Sequence, residues 1–180
     1  FNTDTINSFL KNLDDHFGIV CISNKFAFAA VDASRAYPIF WKNSKNNIIF
    51  SSQAKKIVDK KKDIIDYHQL TAFRMSGYTI SDGTLWKNIQ NLNAGSFIFI
   101  NSKNELFFKK HFSYTPWKTS YKPYKELKKQ LADEINAILK NMITKSNGRT
   151  IIVPLSAGLD SRLIVSGLKH FDYKKVKCFS

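Results

Sequence analysis

Ser156-Ala157-Gly158-Leu159-Asp160-Ser161 gathers two hydroxyls, a carboxylate and two small residues within six positions. The apolar run Ile151-Ile152-Val153-Pro154-Leu155 precedes it, and Arg162-Leu163-Ile164-Val165-Ser166-Gly167-Leu168-Lys169 follows with apolar residues at helical spacing. The pattern reads as strand, turn, helix, with the polar residues on the turn. Such a turn suits a phosphate. Small side chains let the backbone approach an anion, successive N–H groups form a nest, and a helix beginning near Asp160 or Ser161 adds the positive end of its dipole. Ser156 and Ser161 supply further donors. Asp160 is the odd member, because a carboxylate beside a phosphate repels it unless a divalent cation lies between them. Asp160 is therefore read as a Mg²⁺ partner. The plainer reading of the same residues is an ordinary turn, with Asp160 or Ser161 capping the helix.

The surrounding pattern supplies the elements that would hold this turn. From Pro123 to about Lys145, Leu127, Leu131, Ile135, Ile138 and Met142 recur at steps of three and four, predicting one long helix that starts at Pro123 and ends at Gly148. Lys175 to Ser180 reads as a second strand, so that strand, helix and parallel strand follow one another. Upstream, Asn2 to Leu13 predicts a short helix capped by Asp4 or Thr5. Gly18–Ser23 and Phe26–Val31 predict a hairpin turning at Asn24-Lys25, and Pro38–Lys42 and Asn47–Ser51 predict another pair across 43–46. Ser52–Lys62 reads as a surface helix with a basic face, and Tyr67–Met75 as another. Ser96–Ile100 and Leu106–Phe108 complete a mostly antiparallel meander, with Phe97, Phe99, Phe107 and Phe108 expected in the core. The stretch from Tyr114 to Lys122, around Pro116, breaks the periodicity and is the natural linker. Boundaries follow at 1–115, 116–122 and 123–180.

Composition narrows the class. Among 180 residues, 43% are hydrophobic and 14% aromatic, enough for a buried core. No leader pattern and no bilayer-length apolar run is present, so neither export nor a membrane partner is expected. Cys21 and Cys178 each sit in an apolar run, which fits small buried side chains in a reducing, cytoplasmic setting. The formal charge of +14 comes from lysines dispersed in pairs and triplets, without a nucleic-acid-binding signature, so no nucleic-acid partner is expected. Trp41, Trp86 and Trp117 are expected in the core or at a domain interface. His16, His68, His111 and His170 lack metal-ligand spacing.

Leu155-Ser156-Ala157-Gly158-Leu159-Asp160-Ser161 resembles the PP-loop, S-G-G-x-D-S, of ATP pyrophosphatases that activate substrates as adenylates. Within that group the likeness is to the glutamine-dependent asparagine synthetase family. Asp32-Ala33-Ser34-Arg35-Ala36-Tyr37-Pro38-Ile39-Phe40-Trp41 is similar to its D-R-x-G-x-x-P-L-Y-Y segment, and Ile49-Phe50-Ser51-Ser52-Gln53-Ala54-Lys55-Lys56-Ile57 to its F-A-S-E-x-K-A-L segment. Thr84-Leu85-Trp86-Lys87-Asn88-Ile89-Gln90-Asn91-Leu92-Asn93-Ala94-Gly95 resembles a third, and all occur in the family's order.

The resemblance implies an α+β domain followed by an α/β one. The first, 1–115, would be an amidotransferase-like antiparallel sandwich of the N-terminal-nucleophile type. The second, 123–180, would be the first strand-helix-strand of a PP-loop ATP pyrophosphatase domain, with the remaining ATP and aspartate contacts expected beyond residue 180. It implies ATP-dependent amidation of a carboxylate, typically aspartate, through an acyl-adenylate, with ammonia from glutamine. ATP and Mg²⁺ are the implied cofactors, and a homodimer remains open. Ser156, Gly158 and Ser161 would hold the pyrophosphate portion, Asp160 would share Mg²⁺ with it, and the Leu155 backbone would lie against the adenosine. Ala157 stands where the family has Gly, which predicts strain of roughly 1 kcal/mol or more if that site needs a positive φ. The family's amidotransferase uses an N-terminal Cys; residue 1 is Phe, Cys21 is internal, and Gln53 replaces the family's Glu. No catalytic nucleophile is therefore expected in these residues. The competing expectation is a non-catalytic amidotransferase-like binding or regulatory module with a vestigial PP-loop.

Overall fold

Apolar alternation between two partners, one on each face, organises the amino-terminal half. The computed structural model describes residues 2–44, 47–117, 119 and 121–180. The chain is mixed α and β and divides into two units, Phe1–Thr115 and Pro116–Ser180. The first contains α1 (Thr3–Lys11), β1 (Gly18–Ile22), β2 (Ala27–Val31), β3 (Phe40–Ser44), β4 (Asn47–Ser51), α2 (Tyr67–Ser76), β5 (Gln90–Asn91), β6 (Ser96–Ile100) and β7 (Leu106–Lys110). One antiparallel sheet runs β1-β2-β6-β7 and a second runs β4-β3-β5. In the centre of the first sheet, Ala29, Val31, Ile98 and Ile100 face Ile39, Trp41 and Leu92 of the second-sheet side. Phe28, Ala30, Phe97 and Phe99 face Ile6 and Leu10 of α1. Helix, sheet and sheet are therefore three layers, and β2 and β6 are nearly continuous apolar runs because both of their faces are covered.

Asp32, at the end of β2, ties these layers together. Its carboxylate accepts from the N–H of Phe17 at 3.1 Å, of Ser34 at 2.8 Å and of Ala36 at 3.1 Å, and from Ser34 Oγ at 2.6 Å. Its carbonyl accepts from Arg35 N and Gly95 N. Burial alone would raise its pKa, but the Ser34 hydroxyl and the three N–H groups outweigh that and hold it at about 2 instead of 3.8. Arg35 adopts φ +54° and its guanidinium bonds Asn91 Oδ1. Gly95 has φ +68°, and a Cβ there would meet Phe112 O at 2.6 Å, so both conformation and space require glycine.

Several expectations are corrected. The helix expected over Ser52–Lys62 is only a 3-10 turn at Ala54–Lys56. Two contacts redirect the chain: Asp63, whose side chain is 1% exposed, accepts Lys42 Nζ at 2.6 Å and Asp59 N at 2.7 Å. Burial raises the Asp63 pKa, and the Lys42 and Asp59 bonds reverse that to a net lowering. The adjacent lysines add like-charge repulsion to any continued helix. Asn2 caps α1, its Oδ1 accepting from Thr5 N at 2.9 Å, so neither Asp4 nor Thr5 does. β3 begins at Phe40 and runs to Ser44; Lys45 and Asn46 of the expected turn lie outside the described residues. Phe107 and Phe108 are exposed on the outer strand β7, where they lie against Phe99 and Trp41. Trp41 is buried as expected, whereas Trp117 is 74% exposed. Both cysteines are free, and Cys178 is exposed.

The second unit contains α3 (Tyr124–Ser146), β8 (Ile151–Pro154), α4 (Leu159–His170) and β9 (Val176–Phe179). Pro123 is the N-cap of α3, one residue before its expected position, and Asn147 closes the helix at φ +47° before Gly148 at φ +72°. β8 and β9 are parallel, in the register Ile151↔Val176 to Pro154↔Phe179, with α4 as the crossover. Leu139, Val153 and Leu168 are its buried apolar residues. The Tyr173 hydroxyl donates to Arg149 O at 2.6 Å and lies 2.7 Å from Ser146 Oγ, pinning the end of α3 to the start of β8. No helix among the described residues is long and apolar enough to cross a membrane.

Two outcomes follow. The Asp32 carboxylate is ionised in the folded chain down to about pH 2, so its stabilisation is complete above pH 4 and disappears as pH falls from about 4 to 2. The loss amounts to about 2 kcal/mol, and Asp32→Asn abolishes that pH dependence of the urea midpoint. A Cβ at Gly167 would meet Leu139 Cδ1 at 2.3 Å, so Gly167→Val destabilises by about 1–3 kcal/mol. Adding Leu139→Ala recovers part of that loss, which a double-mutant cycle in urea measures.

Candidate functional site

The loop between β8 and α4 starts from a fixed point: Leu155 N donates to Phe179 O at 2.7 Å, extending the β8–β9 pairing by one residue. The chain then leaves the sheet, and Ser156, Ala157 and Gly158 are exposed. Ser156 Oγ accepts from Gly158 N at 3.1 Å and lies 3.2 Å from Ser161 Oγ. Ser156 N also donates to Ser161 Oγ at 3.2 Å. The two hydroxyls, each expected to donate to a phosphate, lie together, one from the loop and one from the first turn of the helix.

Gly158 is the N-cap of α4, with extended backbone at φ −72° and ψ 163° and no side-chain cap. The first N–H groups of α4 have no acceptor one turn earlier in the helix, which leaves them to face an anion. The plain capping reading is corrected here, since Asp160 and Ser161 lie inside the helix. Asp160 is exposed in the first turn, where its negative charge also complements the dipole. Ala157 is not among the residues with positive φ, so the strain expected from replacing the family's Gly does not arise. Gly158 matters for space: a Cβ there would come within 3.1 Å of Ser156 Oγ.

Arg162 is the contributor that residue types alone did not reveal. Its Nε donates to Gly158 O at 3.2 Å and a terminal nitrogen donates to Ala157 O at 2.5 Å. Both carbonyls are thereby held by a cation on the helix, which turns acceptors away from an approaching phosphate. The available signal was spacing: on a helix that starts at residue 159, position 162 reaches back over the turn that precedes it.

A Mg²⁺ ion is compatible with this donor set in one way. No cluster of three or more His, Cys, Asp or Glu suited to a metal exists among the described residues. Asp160 is a single carboxylate, and Mg²⁺ is commonly held by one or two carboxylates together with substrate phosphates and water. Asp160 and bound phosphates would thus share the ion. Elsewhere, Cys21 lies within β1, paired with Phe28, and His111 Nε2 donates to Val31 O at 2.9 Å. No family model matches the chain, and no curated protein sequence matches it.

Arg162→Met removes both carbonyl contacts without touching the buried side chains. It is expected to raise amide exchange of residues 156–158 several-fold while moving the urea midpoint by less than about 0.5 kcal/mol, as exchange mass spectrometry and denaturation would show.

Proposed function

We propose that the second unit opens an ATP pyrophosphatase domain and that the chain serves the ATP-dependent amidation of a carboxylate, as in the asparagine synthetases it resembles. The observation that carries this reading is the convergence of Ser156 and Ser161 hydroxyls, 3.2 Å apart, at the start of a helix linking two parallel strands. Ser156, Gly158 and Ser161 offer O–H and N–H donors to the pyrophosphate portion of ATP, and the Leu155 backbone lies against the adenosine. Asp160 would hold Mg²⁺ beside the same phosphates, and the ion would supply charge neutralisation. A carboxylate oxygen, typically of aspartate, attacks the α-phosphorus and pyrophosphate leaves; ammonia then attacks the acyl carbon and AMP leaves, giving the amide. The chain's own contribution is positioning and electrostatic stabilisation.

The helix-sheet-sheet layering of the first unit supports an amidotransferase-like domain there; glutamine as the ammonia source rests on the resemblance alone, since the nucleophile that would free it is not among these residues. A second reading, a non-catalytic module with a vestigial loop, is favoured by one feature. The loop satisfies itself, hydroxyl to hydroxyl and Arg162 to carbonyls, without a ligand.

Pyrophosphate release from ATP, with aspartate and ammonia supplied to the complete protein, separates the two. On the first reading release occurs, and Asp160→Ala weakens MgATP binding by about tenfold or more, as titration calorimetry would register. No release with any carboxylate, and identical MgATP binding by wild type and Asp160→Ala, would leave the module reading.

A further inference from the structure

Between β5 and β7 the two sheets of the first unit leave a cleft of about 290 Å³, at the lower end of the range for small-molecule sites. Trp41 and Leu92 line it from the second-sheet side, and Phe108 of β7 lies across from them, its ring tilted against the indole at 5.4 Å. Register decides which lysine joins them. Ile98 pairs with Phe108 and Ser96 with Lys110, and Ile98 belongs to the core between the sheets. Alternation therefore brings Phe108 and Lys110 to the cleft face and sends Lys109 to the α1 face with Phe97. Asp82 stands on the second-sheet rim, where its carbonyl accepts from Asn91 N of β5 at 2.8 Å. Among the described residues, neither the Lys110 ammonium nor the Asp82 carboxylate has an ion pair or hydrogen bond. The floor holds a third unmet group. Trp41 is only 8% exposed, and a buried indole N–H ordinarily finds an acceptor, yet this one has none among the described residues. Among those residues Asn7 Oδ1 is the side-chain atom sealed from solvent without a bond, so the Trp41 N–H is reachable from outside. The neighbouring Asn91 side chain is already committed to Arg35 and to Gly83 O.

We propose that this cleft binds a free α-amino acid with an aromatic side chain. Its ring lies against Trp41 and Phe108, its carboxylate accepts from Lys110 and the Trp41 N–H, and its ammonium meets Asp82. Each unmet group then has a partner of the right sign. A ligand carrying one charge would leave Asp82 or Lys110 without a partner, and an alkyl side chain would forgo the tilted and offset ring contacts that an aromatic floor favours. Bonds between ionised groups are the stronger kind, so holding both ends of a zwitterion fixes its orientation as well as its affinity. The lining residues all fall between positions 41 and 110, within the first unit. The site is independent of the phosphate-site reading.

Titration of the complete chain with L-phenylalanine tests the proposal, followed through the tryptophan indole N–H signals in proton–nitrogen correlation spectra. Loss of one signal in Trp41→Phe identifies the Trp41 group. Saturable binding is expected with a Kd of about 1 mM or lower, the Trp41 signal moving while those of Trp86 and Trp117 stay fixed. Lys110→Met weakens L-phenylalanine about tenfold and leaves 2-phenylethylamine, which has no carboxylate, within about twofold of wild type. Asp82→Asn weakens L-phenylalanine to a similar degree and leaves 3-phenylpropionate, which has no amine, within about twofold. Both positions are exposed, so neither change disturbs the core. Absence of saturation by about 10 mM overturns the proposal, as does saturation that moves Trp86 or Trp117 in place of Trp41. Variants that weaken the truncated ligands as much as L-phenylalanine overturn the assignment of the two charges. Alanine binding as tightly as L-phenylalanine would remove the ring from recognition, and also overturns it.

Discussion

The Asp32 carboxylate is the contact on which the first unit depends. Four donors converge on it from the residue before β1, from the turn after β2 and from that turn's hydroxyl, while its carbonyl holds the glycine that leads into β6. Three of those donors are backbone N–H groups at the ends of strands, where no ladder partner is available, and burying them without an acceptor would cost about 1–3 kcal/mol each. One ionised side chain satisfies several at once, which is why its affinity for a proton falls so far. The turn it stabilises then sends the chain from the first sheet to the second, through Arg35 in the left-handed region and its bond to Asn91.

The second unit solves a similar problem by the opposite means. Its loop has no buried acceptor; it is exposed, and its polar groups pair locally through Ser156, Ser161 and Arg162. Local pairing preserves the shape without a ligand and leaves the helix start facing outward. The same bonds that support a phosphate cradle also explain how the loop could persist without one, so both functional readings start from one geometry.

Elements with strong local signals were legible in the sequence. The stripe from Leu127 to Met142 marked α3 to within a residue or two through its period, and short apolar runs bounded by turn residues marked β1, β2, β6 and β8. The strand–loop–helix order of the candidate site followed from the same logic. What failed depended on partners distant in sequence. Nothing near Ser52–Lys62 announces that Asp63 will be buried against Lys42, 21 positions away, and that contact defeats the helix. Phe107 and Phe108 look like core residues until the strand order puts β7 at an edge. Ala157 was expected to strain the turn only because another residue type stood there in a similar motif, and its φ is not positive.

The bond from Leu155 N to Phe179 O has a consequence for the order in which the molecule is made. Residues 155–161 leave the ribosome before β9 exists, and a lone β8 has no parallel neighbour to pair with. The loop's first residue acquires its anchor only after Phe179 has emerged, roughly one to several seconds later at about 5–20 residues per second. Until then α4 can form while the cradle in front of it has no fixed wall. The candidate site is thus among the last features of its unit to be assembled, although its chemistry is written in one short stretch.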